Sequence, residues 1–219
     1  MSNVLITGFE PFEQDTVNAS WEAARRLDGL RLAGPDGPVT VQVRQLPCVF
    51  GLANQVLREA IEATQPLRVI CAGYAGMRKA MSIERVAINV DDARIADNAG
   101  LQPIDAAIVA GGPAAYFSTL PIKAIVHRLR AADILAEVSQ TAGTFVCNHV
   151  FYGLQHYLAT HSPQVRGGFI HVPYWDQQAA RHAGLQAMPL EQMVLGLQLA
   201  METSLAIDTD LQESGGAIA

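Results

Sequence analysis

A cysteine at the start of a predicted helix is the residue of this sequence best placed to act as a nucleophile. The segment 141–143 is small and turn-prone, and an apolar stripe with helical spacing follows it. The stripe consists of Val150, Phe151, Leu154, Tyr157 and Leu158. Cys147 therefore lies in or near the first helical turn, where unpaired N–H groups and the helix dipole favour a thiolate. The same N–H groups can bind the oxyanion that forms when a thiolate attacks a carbonyl.

The two other cysteines have no such position. Cys48 and Cys71 each lie among apolar residues, and most free cysteines act as small buried hydrophobic residues. We interpret both as structural. Cys147 still needs a general base, which another part of the chain must supply.

Six histidines are candidates for that base. His171 is well placed because it ends an apolar run, although a structural role is an equally good interpretation. His149 is a weaker candidate, because residues two apart on a helix do not face each other. The remaining four are predicted to be surface residues: His127, His156, His161 and His182.

An acid that orients the histidine would complete a catalytic triad. Glu84 enters an apolar run and suits this role, with a solvated surface acid as the alternative. Asp91, Asp92 and Asp97 are rivals, and spacing does not choose among the four.

Other classes of site lack their motifs. The sequence has no zinc-ligand spacing, no Cys-x-x-Cys pair, no dinucleotide or Walker loop and no Gly-x-Ser-x-Gly elbow. We therefore predict a cysteine nucleophile that uses no metal and no cofactor.

The composition predicts a single soluble domain in a reducing compartment. The chain has 219 residues and a net charge of −6, and it lacks a basic stripe that would suit nucleic acid or an anionic membrane. Its apolar runs are too short to span a bilayer, no signal peptide is apparent, and three cysteines do not suggest a disulfide framework. We expect one domain over residues 1–211, a frayed tail over 212–219, and a cytoplasmic location.

Short apolar strands alternate with amphipathic helices, which predicts an α/β protein with a largely parallel sheet. Predicted strands are 4–9, 39–46, 67–72, 134–138 and 168–173, and predicted helices are 20–27, 49–63, 122–132 and 190–207, besides the helix at Cys147. Ser20 is expected to cap the first helix, residues 86–95 to be extended, and residues 111–121 to be mostly irregular.

Six short segments resemble the pyrrolidone-carboxylate peptidases, the cysteine peptidase family of pyroglutamyl peptidase type I. They are residues 6–12 (ITGFEPF), 84–89 (ERVAIN), 92–95 (DARI), 112–121 (GPAAYFSTLP), 143–149 (GTFVCNH) and 169–173 (FIHVP). Each is weak alone, but six in the right order are specific.

The resemblance implies a three-layer α/β/α sandwich, a homotetramer and removal of N-terminal pyroglutamate from peptides. It places the catalytic triad on Glu84, Cys147 and His171, with Arg94 near the catalytic group. The slot for the lactam ring would draw on Phe9, Phe12, Ile95, Phe145 and Val146.

The chain departs from the family pattern at three places. Glu13 and Gln14 stand where two glycines are usual, Tyr74 stands where many members have glutamine, and Ala96 replaces a proline. These changes put the rate and leaving-group preference in question more than the class of reaction.

Three alternatives remain open. A different cysteine amidase could use the same triad, and a binding protein could recognise pyroglutamyl ends without cutting them. A nucleoside phosphorylase-like enzyme would suit the fold class, but no convincing phosphate loop is present. Exposed apolar residues near Tyr116 and Phe117 suggest a homo-oligomer.

Overall fold

A seven-stranded sheet forms the centre of the protein in a computed structural model that describes residues 2–13, 15–176 and 187–216. The strand order is β2-β3-β1-β4-β9-β5-β8. These strands are β1 (Ser2–Phe9), β2 (Arg31–Gly34), β3 (Gly37–Leu46), β4 (Arg68–Tyr74), β5 (Met81–Glu84), β8 (Ala136–Ser139) and β9 (Arg166–Val172). Short two-stranded pairs join β6 (Val86–Ile88) to β7 (Ala115–Phe117) and β10 (Tyr174–Trp175) to β11 (Ala187–Met188).

The sheet is mixed and mostly parallel. The pairs β1–β3, β1–β4, β4–β9 and β5–β8 run parallel, whereas β2–β3 and β5–β9 run antiparallel. This confirms the predicted α/β fold class.

Helices cover both faces of the sheet. Strand alternation sends Ile6 of β1 into one apolar cluster and Leu5 into the other. The first cluster lies under α1 (Ala19–Ala24), α3 (Ile122–Arg130) and α5 (Leu190–Ala206), and the second under α2 (Leu52–Thr64) and α4 (Val146–His161). The central strands are apolar on both faces because both faces are buried.

Several local predictions were wrong. The N-cap of α1 is Asn18, whose Oδ1 accepts a hydrogen bond from the Ser20 N–H, so Ser20 is not the cap. A 3₁₀ turn (Arg25–Leu27) follows this short helix. Residues 86–95, which were expected to be extended, hold only the short strand β6. The segment 111–121 is mostly irregular as predicted, and only the three residues of β7 within it form a strand.

The end of the described chain touches the body of the protein. Arg85 Nη2 donates a hydrogen bond to the Gly215 carbonyl at 2.5 Å. Within the described residues, no helix has the length and apolarity needed to cross a membrane.

Candidate active site

Cys147 is the second residue of α4, as the sequence predicts. The loop before the helix contains Gly143 at φ 78°, in the left-handed region that glycine favours. The N-cap residue is Phe145, whose side chain has no hydrogen-bond acceptor. The first N–H groups of α4 therefore receive no side-chain cap from that residue and can be offered to a bound oxyanion.

His171 and Glu84 meet across the antiparallel strands β9 and β5. Ser82 is the register partner of His171, so Glu84, two residues further along β5, lies diagonally opposite on the same face. The long glutamate side chain spans this diagonal, and its Oε1 lies 2.7 Å from His171 Nδ1. Both side chains are buried.

The contact with Glu84 fixes the tautomer of His171. A carboxylate accepts hydrogen bonds, so Nδ1 carries the proton and Nε2 is left as an acceptor. Burial lowers the pKa of His171 from its ordinary value of 6.5, although Glu84 acts in the opposite direction. The imidazole is therefore neutral near pH 7 and able to accept a proton.

The pKa of the Cys147 thiol is shifted upward, opposite to that of His171. Burial raises its pKa, and the nearby Cys48 and Glu84 add to this effect. The prediction that the helix start favours a thiolate is therefore wrong in its net direction for the free protein, because desolvation outweighs it. Both side chains are therefore neutral in the free protein, and the Cys147 proton must move during attack.

An apolar pocket of about 180 Å³ opens beside the start of α4 and strand β9. Its walls include both Cys147 and His171. Four of the five predicted slot residues line it, namely Phe9, Phe12, Phe145 and Val146, and Tyr74 lines it too. Gly73 is needed here because a Cβ at that position would lie 2.9 Å from Cys147 Sγ.

Ile95 does not line this pocket. It lies with Arg94 in a neighbouring cavity of about 370 Å³, and that cavity shares Phe12, Tyr74 and Phe145 with the pocket. The Arg94 side chain is exposed there. These two predicted residues therefore border the space beside the pocket.

Glu13, which stands where the family usually has glycine, adopts a backbone conformation that glycine favours. Glu13, which also lines the neighbouring cavity, has φ 56° in the left-handed region that glycine favours. Gln14 lies outside the described residues. Tyr74, the second departure, packs its ring against Tyr174 at 4.9 Å between centroids.

Two of the rival acids are committed to other contacts. Asp91 Oδ2 lies 2.8 Å from His149 Nδ1, and His149 Nε2 accepts a hydrogen bond from the Gly51 N–H at 2.9 Å. Asp97 accepts hydrogen bonds from the N–H groups of Phe50, Ala99 and Leu101. Both ring nitrogens of His149 are thus engaged, which excludes it as the base for Cys147.

A His149→Ala variant should be less stable by about 3 kcal/mol, because it leaves a buried carboxylate and a backbone N–H unpaired. Urea unfolding measures this change, with the exposed His127→Ala as a control expected within about 0.5 kcal/mol of wild type. The folded His149→Ala protein should retain turnover. Complete loss of turnover with unchanged stability would instead restore His149 as a candidate base.

The other histidines are mixed in exposure. His127 and His161 are exposed as predicted, whereas His156 is half-buried with its Nδ1 2.9 Å from the Tyr116 hydroxyl. His182 lies outside the described residues.

A larger cavity of about 400 Å³ beside His149 and His156 includes none of the predicted triad. Among the described residues, no group of three His, Cys, Asp or Glu side chains could hold a metal ion.

Several residues at the site were not predicted from the sequence. Asn18, Cys48 and Ala142 line the apolar pocket. Asn18 could have been found as a preferred N-cap residue just before the predicted helix 20–27. Arg78 contacts Glu84 Oε1 through its Nη1 at 2.8 Å, and no pattern in the sequence indicates this contact.

Comparison with known proteins gives one consistent family. A family model described as pyroglutamyl peptidase matches residues 2–207. The pyrrolidone-carboxylate peptidase 1 of Ralstonia nicotianae is 61% identical over 218 residues, with 100% of both chains covered. The pyroglutamyl peptidase I of Bacillus amyloliquefaciens has a crystal structure that matches with a TM-score of 0.92 and 46% identity, over 96% of this chain and 100% of that chain. The pyrrolidone carboxyl peptidase of the hyperthermophile Pyrococcus furiosus matches with a TM-score of 0.88 and 41% identity, over 93% and 98%.

Proposed function

This chain belongs to the pyroglutamyl peptidase family, and we propose that it is a cysteine exopeptidase that removes an N-terminal pyroglutamyl (5-oxoprolyl) residue from peptides. One observation carries the proposal. A potential nucleophile and a glutamate-bound histidine, Cys147 and His171, open into the same small apolar pocket. In this proposal Glu84, Cys147 and His171 are the catalytic residues.

The pocket suits a neutral ring. A pyroglutamyl end is a lactam with no α-ammonium group, so it needs no acidic residue to bind it. Aromatic walls with a few hydrogen bonds are sufficient. We propose that Phe9, Phe12, Phe145 and Val146 hold the ring, and that Ile95, Arg94 and Tyr74 border the departing peptide.

The first half-reaction forms a thioester. The Cys147 proton passes to His171 Nε2 as Sγ attacks the pyroglutamyl carbonyl carbon, and N–H groups at the start of α4 stabilise the oxyanion. The C–N bond then breaks as His171 Nε2 gives its proton to the leaving amine. Glu84 holds the Nδ1–H tautomer and stabilises the imidazolium in between.

The second half-reaction releases the acyl group. Water gives a proton to His171 Nε2 and attacks the thioester carbon, and the C–S bond breaks. The thiolate regains its proton from His171, and free pyroglutamate leaves. No step requires a metal or cofactor.

A panel of fluorogenic amides tests the proposal. The wild type should release the fluorescent amine from a pyroglutamyl amide, with kcat/KM at least about 10²-fold above that for a prolyl amide. The prolyl ring has the same size but carries a charged amine. Equal hydrolysis of both would favour a different cysteine amidase, and tight binding without release would favour a binding protein.

The assembly and location are further proposals. We propose a homo-oligomer, a tetramer by family resemblance, because Phe117 is 69% exposed beside Ile88 at 37% on the β6–β7 pair. A solution mass near the 23.5 kDa of one chain would contradict it.

Three free cysteines support a reducing, cytoplasmic location, which cell fractionation can test. We also keep the proposal of a single peptidase domain over residues 1–211.

A further inference from the structure

Arg78 joins two parts of the active site that are far apart in sequence. It lies in the turn between β4 and β5, where its backbone N–H donates to the Ala75 carbonyl at 3.0 Å. Its Nη1 lies 2.8 Å from Glu84 Oε1, and its Nη2 donates to the Thr141 carbonyl at 2.7 Å. One guanidinium therefore contacts both the triad acid and the loop that leads into α4.

Glu84 needs a cation at this position. Its side chain is 0% exposed, and a buried carboxylate is costly unless it is paired. His171 Nδ1 and Arg78 Nη1 both contact Glu84 Oε1. Among the described residues, Glu84 Oε2 has no hydrogen-bond partner. Arg78 is thus the permanent positive charge that balances Glu84 while His171 is neutral.

The Thr141 contact extends this effect to the nucleophile. Ser139 Oγ also donates to the Thr141 carbonyl, at 3.1 Å, and the Gly143 N–H donates to Thr141 Oγ1 at 3.0 Å. Thr141 is therefore held from three directions just before Cys147. A fork of N–H donors is suited to bridging two acceptors in this way, which a lysine ammonium matches poorly.

We propose that Arg78 is a positioning residue for the reaction, which balances the charge of Glu84 and fixes the loop before Cys147. This inference rests on the proposed function. Glu84 on β5 contacts His171, and Arg78 in the β4–β5 turn contacts Glu84. The titratable side chains that share the apolar pocket with His171 are Cys147 on α4, Tyr74 on β4 and Cys48. Glu84 raises the pKa of His171 and Arg78 lowers it, so removing Arg78 leaves the effect of Glu84 unopposed.

The experiment compares Arg78→Gln and Arg78→Lys with wild type in full pH–rate profiles on a pyroglutamyl amide. Arg78→Gln should lower kcat by about 10–100-fold, since hydrogen bonds to a charged group are lost. The acid limb of its profile should move to higher pH, because His171 then holds its proton more strongly. KM should stay within about twofold, because Arg78 does not line the apolar pocket. Arg78→Lys should keep the wild-type acid limb and recover only part of kcat.

Activities are normalised to the amount of folded protein. Arg128 on α3 is exposed, and Arg128→Gln serves as the matched control, with a kcat and an acid limb expected to equal those of wild type. An unchanged kcat and acid limb in Arg78→Gln would overturn the inference, as would a lower kcat with an unmoved acid limb. If Arg78→Gln does not fold, a wild-type kcat in Arg78→Lys would overturn it.

An NMR titration of the His171 ring separates this inference from the proposed function. The pKa of His171 should rise in Arg78→Gln even if no peptide is cleaved. A wild type without turnover would reject the proposed function, whereas an unmoved titration would reject the role of Arg78.

Discussion

We expect the Cys147→Ser protein to fold and to hydrolyse a pyroglutamyl amide about 10⁴-fold more slowly than wild type. A hydroxyl is far less acidic and less nucleophilic than a thiol, and neutral His171 cannot compensate for that difference. The substitution is nearly isosteric and should cost less than about 1 kcal/mol in folding free energy. Single-turnover kinetics measure the loss directly, with trapping of the acyl-enzyme, which is a thioester in wild type and an oxygen ester in the variant.

The control for this variant is a second thiol that lies outside the pocket. Cys71 is fully buried on β4, and burial raises the pKa of its thiol to about 12. Cys71→Ala should lose some stability through the small cavity but keep its turnover per folded molecule. Undiminished turnover in Cys147→Ser would move the nucleophile elsewhere and refute the mechanism.

Glu84→Gln is the second substitution with a large expected effect, a loss of about 10³-fold or more in kcat. The amide can donate a hydrogen bond to His171 Nδ1, which places the ring proton on Nε2, so the ring cannot accept the Cys147 proton. A neutral amide also cannot stabilise the imidazolium, and it leaves Arg78 without its counter-ion.

The matched control is Glu137→Gln on the neighbouring strand β8. Glu137 Oε1 accepts a hydrogen bond from the Ser82 hydroxyl at 2.9 Å, a contact that glutamine can retain. Steady-state kinetics at the plateau of the pH profile should show wild-type turnover within about twofold for this variant. If Glu84→Gln behaved like its control, Glu84 would not be the orienting acid.

Helices and strands with a clear local residue pattern were predicted from the sequence. Helix α4 begins where its apolar stripe requires, and strand β9 was predicted within a few residues of its bounds. Strand β5 was missed because it has only four residues, all buried, and two of them, Ser82 and Glu84, are polar. The four residues do alternate between apolar and polar types, but this is the shortest alternation that indicates a strand, and it indicates a strand with one exposed face, whereas β5 is buried on both.

The choice among the acids needed three-dimensional information. Asp91, Asp97 and Glu84 are all buried acids within a short stretch, and spacing alone treats them alike. Only the family resemblance selected Glu84 from sequence. The antiparallel register of β5 and β9 explains that selection, because it brings Glu84 diagonally opposite His171. Register between distant strands depends on the whole sheet, so single-sequence reasoning could not supply it.

The strand order has a consequence for synthesis of the chain on the ribosome. Strands β4 and β5 follow each other along the chain, yet β9 lies between them in the sheet. His171 is separated from Glu84 by 87 residues, so this contact cannot form until β9 has been made and inserted. A nascent chain that ends before β9 carries Cys147 but lacks the proposed base, and the proposed orienting acid has no histidine to contact. If the proposed triad is correct, we expect no cleavage of peptides until most of the chain has been translated and the centre of the sheet has closed.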